Sequence, residues 1–306
     1  MKDMNTPPLN TQHCGLVAIV GAPNAGKSTL VNALVGQKIA IISPKAQTTR
    51  SRLMGIALLD QTQILLVDTP GIFTPKKRFD RAMVAAAWGS AEGANLVALV
   101  IDASSGITRR TEPLIEAVAT RKEPKIVILN KVDITPKAEL LALAQKLYEA
   151  IKPEALFMVS AATGDGVVDL KRSLADMMPE SPWHFPEDQV SDVTDRMLAA
   201  EITREQIFLQ LHDELPYAAA VETEKYEERS DGSVAIHQQI LIARDSQKAI
   251  VVGHHGARLK EIGSKARAEL SQILGCKVHL FLHVKVNPKW DEDRSVYNEI
   301  GLEWVK

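Results

Sequence analysis

Short apolar runs alternate with amphipathic stretches over residues 15–178. The runs are rich in Val, Ile and Leu and show little alternation, which is typical of strands that are buried on both faces of a parallel sheet. The five predicted strands are Leu16–Val20, Ile64–Val67, Leu96–Ile101, Ile126–Leu129 and Leu156–Val159.

Helical patterns lie between these strands. The five predicted helices are Thr29–Val35, Arg81–Gly89, Thr111–Arg121, Ala138–Ile151 and Val167–Met177. Repeated strand–helix units indicate a doubly wound, mainly parallel α/β sheet. Ligands of such sheets bind at the carboxyl ends of the strands, so polar residues that directly follow a strand are the candidates for function.

The pattern changes after residue 178. Three prolines within Pro179–Pro186 break a helix and favour an extended tether. Beyond it the sequence predicts a small α+β domain, with helices Met197–Leu211 and Ala257–Ile273 and strands Ala219–Tyr226, Val234–Ala243 and Val278–Val286. We therefore predict a flexible N-terminus (1–14), an α/β domain (15–178), a proline-rich linker (179–190) and an α+β domain (191–306).

Composition agrees with two globular domains. The chain has 306 residues, 45% hydrophobic and 24% charged, and its formal net charge of −2 predicts no polyanion partner by itself. The two cysteines, Cys14 and Cys276, are predicted to be free thiols in a reducing compartment. The sequence shows no signal peptide and no apolar run that could span a bilayer. We expect a cytoplasmic, monomeric protein and leave peripheral contact with the inner membrane open.

A phosphate-binding motif follows the first predicted strand. Residues 21–28 match the P-loop pattern, in which backbone N–H groups and a helix N-terminus bind phosphate. Lys27 is expected to contact the β- and γ-phosphates, and the Ser28 hydroxyl is expected to bind Mg²⁺. The alternative is a glycine-rich turn that caps a helix. The candidate nucleotide-binding residues here are Gly21, Ala22, Pro23, Asn24, Ala25, Gly26, Lys27, Ser28 and Thr29.

A second motif, Asp68-Thr69-Pro70-Gly71, follows the second predicted strand. Asp68 is expected to hold Mg²⁺, and the Gly71 N–H is expected to bond the γ-phosphate. Loss of that phosphate would release the loop that follows. All four residues are therefore candidates for nucleotide binding.

A third segment, Gln47-Thr48-Thr49-Arg50, lies between these two motifs. A threonine here can close over Mg²⁺ and the γ-phosphate, with Thr49 as the first candidate and Thr48 as the second. The alternative is a surface loop. The candidate catalytic residues are Lys27, Thr49 and Gly71, and the candidate Mg²⁺ ligands are Ser28, Thr49 and Asp68.

The base is predicted to be guanine. The Asp133 carboxylate of Asn130-Lys131-Val132-Asp133 can accept from both N1–H and N2–H₂ of guanine, whereas adenine offers no such pair. Asn130 is expected to contact N7 and to tie loops together, and the Lys131 stem is expected to cover the ring. Ser160 and Ala161 follow the last predicted strand, where the Ala161 N–H could bond guanine O6.

The residue after Gly71 bears on catalysis. Many GTPases place glutamine there to orient the attacking water. Here the residue is Ile72, which has no hydrogen-bonding side chain. We therefore expect slow intrinsic hydrolysis that a partner stimulates.

A second candidate site lies in the C-terminal part. Gly253-His254-His255-Gly256 fits the Gly-x-x-Gly loop with which KH domains clamp a nucleic-acid backbone. Basic residues outnumber acidic ones by nine to three over 244–289, although acidic residues prevail over 183–306, twenty-one to fifteen. Besides the loop residues themselves, the candidate RNA contacts are Arg258, Lys260 and Lys265. The alternative is a solvated basic helix face.

These motifs, in this order, resemble those of the translation-factor-related GTPases. Residues 43–52, Asp68–Gly71 and the C-terminal half, including 184–205 and Glu214–Tyr217, are similar to the Era family of bacterial ribosome-assembly GTPases. The resemblance covers nearly the whole chain. It implies a P-loop GTPase domain, a KH domain, GTP and GDP as ligands, and Mg²⁺ as a cofactor.

The resemblance also implies finer features. Relatives share the substitution at Ile72, and several bind K⁺ beside the phosphates through an asparagine that matches Asn24. Asn24 is therefore a candidate K⁺ ligand, the alternative being that it caps the loop. The RNA would be 16S ribosomal RNA near its 3′ end, and the partner would be the immature 30S subunit.

The function expected from the sequence is that of a GTP-hydrolysing switch that binds 16S ribosomal RNA during 30S assembly. Two alternatives stay open: a signalling or membrane-associated GTPase whose second domain binds protein, and an RNA-binding assembly factor with negligible hydrolysis.

Overall fold

The computed structural model describes residues 11–45, 48–75, 77–211, 215–294, 296–297 and 301–305. The chain divides into two compact units. The first consists of the described residues of Met1–Gln37, Arg52–Phe73 and Ala87–Asp192, and the second of those of Lys38–Ser51, Thr74–Ala86 and Val193–Lys306.

The first unit is built on a six-stranded sheet with the order β2-β3-β1-β4-β5-β6. Its strands are β1 (His13–Gly21), β2 (Leu53–Leu59), β3 (Thr62–Asp68), β4 (Leu96–Asp102), β5 (Lys125–Asn130) and β6 (Ala155–Met158). All neighbouring pairs are parallel except β2 and β3, which are antiparallel. The predicted mainly parallel α/β sheet is thereby confirmed.

Helices connect these strands. They are α1 (Lys27–Val35), α2 (Arg78–Gly89), α3 (Glu112–Ala119), α4 (Lys137–Ile151) and α5 (Val167–Asp176). Residues 78–86 of α2 belong to the second unit. Strands β3, β1, β4 and β5 are the interior strands, and nearly all of their apolar residues are buried. One core cluster joins residues of β1, β4 and β5 to residues of α3 and α4. Burial on both faces explains why these strands read as continuous apolar runs.

Strand β2 was not among the predicted strands. Its sequence contains a single β-branched residue, Ile56, and an interior glycine, Gly55, both of which weaken the local preference for a strand. Seven paired residues on β3 hold it in the sheet. Tertiary pairing has therefore overridden a weak local signal.

The segment after α5 is extended, as its prolines predict, but it is not a free tether. Cys14 N donates to Pro179 O at 3.1 Å, Trp183 Nε1 donates to Gln61 O at 3.1 Å, and Ile56 N donates to Val190 O at 2.8 Å. Trp183 and Phe185 also pack on an apolar cluster of β1, β2 and β3. Their apolar side chains bind the segment to the first unit.

The second unit contains a three-stranded sheet with helices on one face. In chain order its elements are α6 (Asp195–Gln210), β7 (Ala219–Glu228), β8 (Val234–Ile242), α7 (Asp245–Val252), α8 (Ala257–Leu274) and β9 (Val278–Val286). Strands β7 and β8 are antiparallel, and β8 and β9 are parallel. Apolar residues of α6 and α8 pack on the sheet, which confirms the predicted α+β class.

Helix α7 was not predicted from the hydrophobic pattern. Its eight residues are too few for helical periodicity to stand out. It lies directly before the glycine loop, in the strand–helix–loop–helix–strand order that the family resemblance implies.

We predict that Gln63 holds the extended segment in place. Its buried side-chain oxygen accepts from His184 N at 2.9 Å and Phe185 N at 3.1 Å, and its amide donates to Phe185 O at 2.9 Å. Gln63→Leu should lower the free energy of unfolding by ~1–3 kcal/mol in urea titrations, because two amide donors lose their acceptor.

The matched control is Gln61→Leu, which leaves intact the backbone oxygen that accepts Trp183 Nε1. Equal stability of the two variants would contradict the predicted role of Gln63.

Candidate nucleotide-binding and RNA-binding sites

The P-loop connects the end of β1 to the start of α1, as predicted. Lys27 is 6% exposed, and its Nζ donates to Gly21 O at 3.2 Å and to Ala22 O at 3.1 Å. Burial lowers the pKa of Lys27 to about 8, while the charge of Asp68 acts in the opposite direction. An ammonium group held by neutral carbonyls in this way is suited to exchange them for phosphate oxygens.

Ser28 and Asp68 come together as the Mg²⁺ prediction requires. Ser28 Oγ donates to Asp68 Oδ2 at 2.6 Å, and Asp68 is fully buried at the end of β3. Hydroxyl and carboxylate oxygens are ligands that Mg²⁺ accepts, and the ion usually takes its other ligands from phosphates and water. In the described part of the chain no group of three or more His, Cys, Asp or Glu could hold a metal by itself.

The loop after β3 is fixed to the P-loop. Ile72 N donates to Gly21 O at 3.0 Å, and the Ile72 side chain packs against the core of the sheet. Thr69 Oγ1 is buried and donates to Ile19 O at 2.7 Å, so this hydroxyl supports the strand end. Ile72 therefore closes the loop structurally and offers no side-chain group to orient water.

Asn130 joins two loops of the predicted site. Its amide donates to Ala25 O at 2.9 Å, and its oxygen accepts from Ala161 N at 3.0 Å. Gly26 has φ +89°, and a Cβ there would lie 2.2 Å from the Asn130 amide nitrogen, so both the backbone and the space require glycine. The predicted tie between loops is present, but it engages the Ala161 N–H that was expected to meet guanine O6.

The candidate base-recognition residues follow β5. Lys131 has a left-handed backbone (φ 65°), and its ammonium lies 2.6 Å from Asp102 Oδ2. Asp133 lies in the next turn and is exposed to solvent, where a base can reach it. Ser160 is fully buried, and its hydroxyl accepts from Thr163 N at 3.2 Å, which shapes the last loop rather than facing a ligand.

Asp102 is a further candidate site residue, which none of the sequence motifs includes. Burial acts to raise the pKa of its carboxyl, but the hydrogen bonds from Lys131 and Ser104 and the Lys131 charge bring the pKa below its ordinary value. Asp102 thus holds Lys131 at the edge of the site. Its position at the end of β4 is the signal that could have identified it, because β4 and β5 are neighbours and end together.

The two candidate threonines belong to the second unit. Thr48 Oγ1 donates to Lys45 O at 2.9 Å, and Thr48 O accepts from the Arg204 guanidinium. Thr48 therefore closes a local turn, and the assignment of Thr49 as the first candidate Mg²⁺ ligand stays a prediction. Gln47 lies outside the described residues.

The Gly253–Gly256 loop joins α7 to α8. Gly253 has φ +71°, and a Cβ there would lie 2.7 Å from Arg258 Cβ, so no other residue fits. His254 and His255 are exposed, with ring centroids 4.0 Å apart. The loop therefore presents two imidazoles and the N-terminus of an 18-residue helix, an arrangement that attracts phosphate.

The three predicted basic contacts differ in their surroundings. Arg258 is partly buried and donates to Gln210 O at 2.6 Å, so it supports the loop from within. Lys260 is exposed beside the loop. Lys265 is paired with Glu261 at 3.0 Å on the helix surface, where both side chains are about half exposed and the pairing is weak. Lys260 is the best placed of the three for a phosphate.

Comparison with known proteins agrees with this geometry. Residues 16–131 match the protein family described as 50S ribosome-binding GTPase, and residues 214–291 match the KH domain family. The chain is 58% identical over 297 residues to GTPase Era of Erythrobacter litoralis (strain HTCC2594), a match that covers 96% of this chain and 98% of that protein.

Two solved structures share the fold over nearly the whole chain. Era in complex with MgGDPNP and nucleotides 1506–1542 of 16S ribosomal RNA is 38% identical with a TM-score of 0.90, covering 95% of this chain and 99% of the other. A single-residue variant of Aquifex aeolicus Era bound to GDP·AlF4⁻ is 37% identical with a TM-score of 0.86 and the same coverage. The chain therefore belongs to the Era family of GTPases, with a P-loop GTPase domain followed by a KH domain.

Proposed function

We propose that the protein is a GTP-dependent switch that binds 16S ribosomal RNA near its 3′ end and acts in assembly of the 30S subunit. The observation that carries the GTPase part is the convergence of Lys27, Ser28 and Asp68 at the ends of the neighbouring strands β1 and β3. The solved complex of an Era relative with 16S nucleotides supports the choice of RNA.

The candidate residues would have different roles in GTP hydrolysis. In the overall reaction, water attacks the γ-phosphorus and the bond to the β-phosphate oxygen breaks, giving GDP and phosphate. The P-loop N–H groups and Lys27 would bind the phosphates, and the Gly71 N–H would bond the γ-phosphate as charge shifts to the leaving oxygen. Ser28, Asp68 and Thr49 would hold Mg²⁺, which would neutralise the charge of the phosphates.

K⁺ is the proposed second cation. Asn24 is exposed in the P-loop with a left-handed backbone (φ 64°), a position from which an amide oxygen can face a cation beside the phosphates. A cation beside the phosphates would stabilise their negative charge during hydrolysis, which the apolar side chain of Ile72 cannot do.

The second unit is the proposed RNA-binding part. The exposed loop His254–His255, Lys260 and the start of α8 form a surface for a single-stranded backbone. These features favour RNA over a protein partner for this unit.

No helix in the described ranges is long and apolar enough to cross a membrane. Peripheral membrane contact, a monomeric state and the domain limits 15–178 and 191–306 stay predictions.

The first test concerns the base. Asp133→Asn should lower GTP affinity by a factor of ~10³ or more and raise affinity for xanthosine triphosphate, because the amide can donate to the xanthine O2. Equilibrium binding of both nucleotides measures this change. Asp102→Asn is the control, because it removes the ion pair with Lys131 and should lower the affinity for both nucleotides by the same factor. An unchanged preference in Asp133→Asn would contradict the guanine assignment.

The second test concerns K⁺. Phosphate release by the wild type should be at least about fivefold faster in KCl than in NaCl at equal ionic strength, and Asn24→Ala should remove the difference. Equal turnover in the two salts would disprove the proposed K⁺ site while leaving the GTPase assignment intact.

The third test concerns the glycine loop. His254→Asp combined with His255→Asp should weaken RNA binding by about tenfold or more, since two carboxylates then face the phosphates. The matched control is His279→Asp with His283→Asp, the same substitutions on β9 of the same unit. Filter binding measures both variants, and equal losses of affinity would argue against the loop as the RNA site.

A further inference from the structure

The 38–51 segment is built into the second unit by contacts with α6. Ile42 N donates to Glu205 Oε1 at 2.7 Å, and Lys38 Nζ donates to Glu205 Oε2 at 2.6 Å. Lys45 Nζ donates to carbonyl oxygens at the end of α6, those of Phe208 and Leu211. Three residues of the segment that contains Thr49 are thus bonded to α6 or to its C-terminal end.

Arg50 is the most deeply buried cation of this segment, at 4% exposure. In the described part of the chain its guanidinium donates to three backbone carbonyl oxygens: Ala219 at 2.7 Å, Tyr217 at 3.1 Å and Pro216 at 3.3 Å. Pro216 and Tyr217 lie in the turn that leads into β7, and Ala219 is the first residue of that strand. The planar group is therefore fixed in position by several directional bonds.

Aromatic rings enclose the same guanidinium. The centroids of Phe79, Trp290 and Phe208 lie 5.5 Å, 5.6 Å and 6.0 Å from Arg50 Cζ. Burial lowers the pKa of Arg50 to about 9, with the charge of Arg204 acting in the same direction and that of Glu201 opposing it. A charge held mainly by carbonyls and ring faces is costly to bury, so its neighbours must be closely placed.

Two separate chain segments meet at this group. Arg50 directly follows Thr49, and Phe79 lies in Thr74–Ala86, the segment that begins three residues after Gly71. Phe79 also packs edge-on against Trp290 and Tyr297, with ring centroids 5.7 Å and 5.4 Å away. The chain after Thr49 and the chain after Gly71 therefore both lead to the cluster of rings around Arg50.

We propose that Arg50 is a positioning residue that couples the nucleotide state to RNA affinity. This inference rests on the proposed GTP and RNA binding. Thr49 and Arg50 are consecutive residues, with Cα atoms about 3.8 Å apart, so a movement of Thr49 toward the γ-phosphate displaces Arg50. Arg50 transmits that displacement to the turn before β7 and to Phe79, within the unit that carries the Gly253–Gly256 loop.

The alternative is that Arg50 only stabilises the second unit. The two roles differ in what they do to coupling, which is the ratio of RNA affinities in two nucleotide states. A stabilising residue, when replaced, changes both affinities alike and leaves the ratio intact. A coupling residue, when replaced, brings the ratio toward one.

The experiment measures the affinity of the full chain for an RNA spanning nucleotides 1506–1542 of 16S ribosomal RNA, with GDP and with GDPNP. The wild type should bind at least about tenfold more tightly in one nucleotide state than in the other. Arg50→Lys keeps the charge but loses the planar fork, and it should reduce that ratio to about twofold or less while GDPNP still binds.

Arg196→Lys is the matched control. The Arg196 guanidinium also donates to backbone carbonyls of the second unit, those of Thr223 and Glu224, but this residue lies on α6, outside both the 38–51 segment and Thr74–Ala86. It should keep the wild-type ratio. A second variant, Phe79→Leu, removes one ring without touching the guanidinium and should lower the ratio if Arg50→Lys fails to fold.

Each outcome decides the question. Preserved coupling in folded Arg50→Lys, or in Phe79→Leu if the former does not fold, would overturn the inference while the proposed function stands. The inference is also overturned, and the proposed function stands, if the wild type binds nucleotide and RNA but has equal RNA affinity with GDP and with GDPNP. Failure of the wild type to bind GTP analogue or RNA would instead count against the proposed function.

Discussion

The P-loop depends on a small set of hydrogen bonds that fix it from neighbouring strands. Asn130, at the end of β5, donates to Ala25 O, and its side chain occupies the space that only a glycine at position 26 leaves open. Ile72 N, just after β3, donates to Gly21 O. A phosphate-binding loop needs its N–H groups held in place before the ligand arrives, and these bonds provide that preorganisation.

The residues proposed for base recognition and for catalysis lie at one edge of the sheet. Three parallel strands end at Asp68, Asp102 and Asn130. The proposed Mg²⁺ ligand, the ion-pair partner of Lys131 and the support of the P-loop therefore lie at the same edge of the sheet. Burial adds to their effect, because charged groups interact more strongly where water is excluded. Burial also has a cost at Lys27, because removal of the ammonium group from water lowers its pKa to about 8 although the charge of Asp68 acts to raise it.

The second unit contains both the proposed RNA-binding loop and a segment that is proposed to contact the nucleotide. Its sheet and helices form a core that presents the Gly253–Gly256 loop, and the same unit includes the 38–51 segment with its candidate Mg²⁺ ligand. Arg50 illustrates how such a combination is stabilised: neutral carbonyls and ring faces, rather than a carboxylate, hold its charge. Directional bonds of this kind define a position more narrowly than a surface ion pair would.

The amino-acid sequence alone determined the class of both units, the order of most strands and helices, and the candidate residues of the proposed nucleotide and RNA sites. These features depend on local periodicity and short motifs, which are read directly along the chain. Tertiary structure alone decided the pairing of β2, the Asp102–Lys131 ion pair, the engagement of Ala161 N by Asn130, and the inward role of Arg258. It also decided the surroundings of Arg50, since residues 50, 79, 217 and 290 meet only when the chain has folded. The spacing of these residues along the sequence does not predict their contacts, because the contacts depend on packing between elements that are distant along the chain.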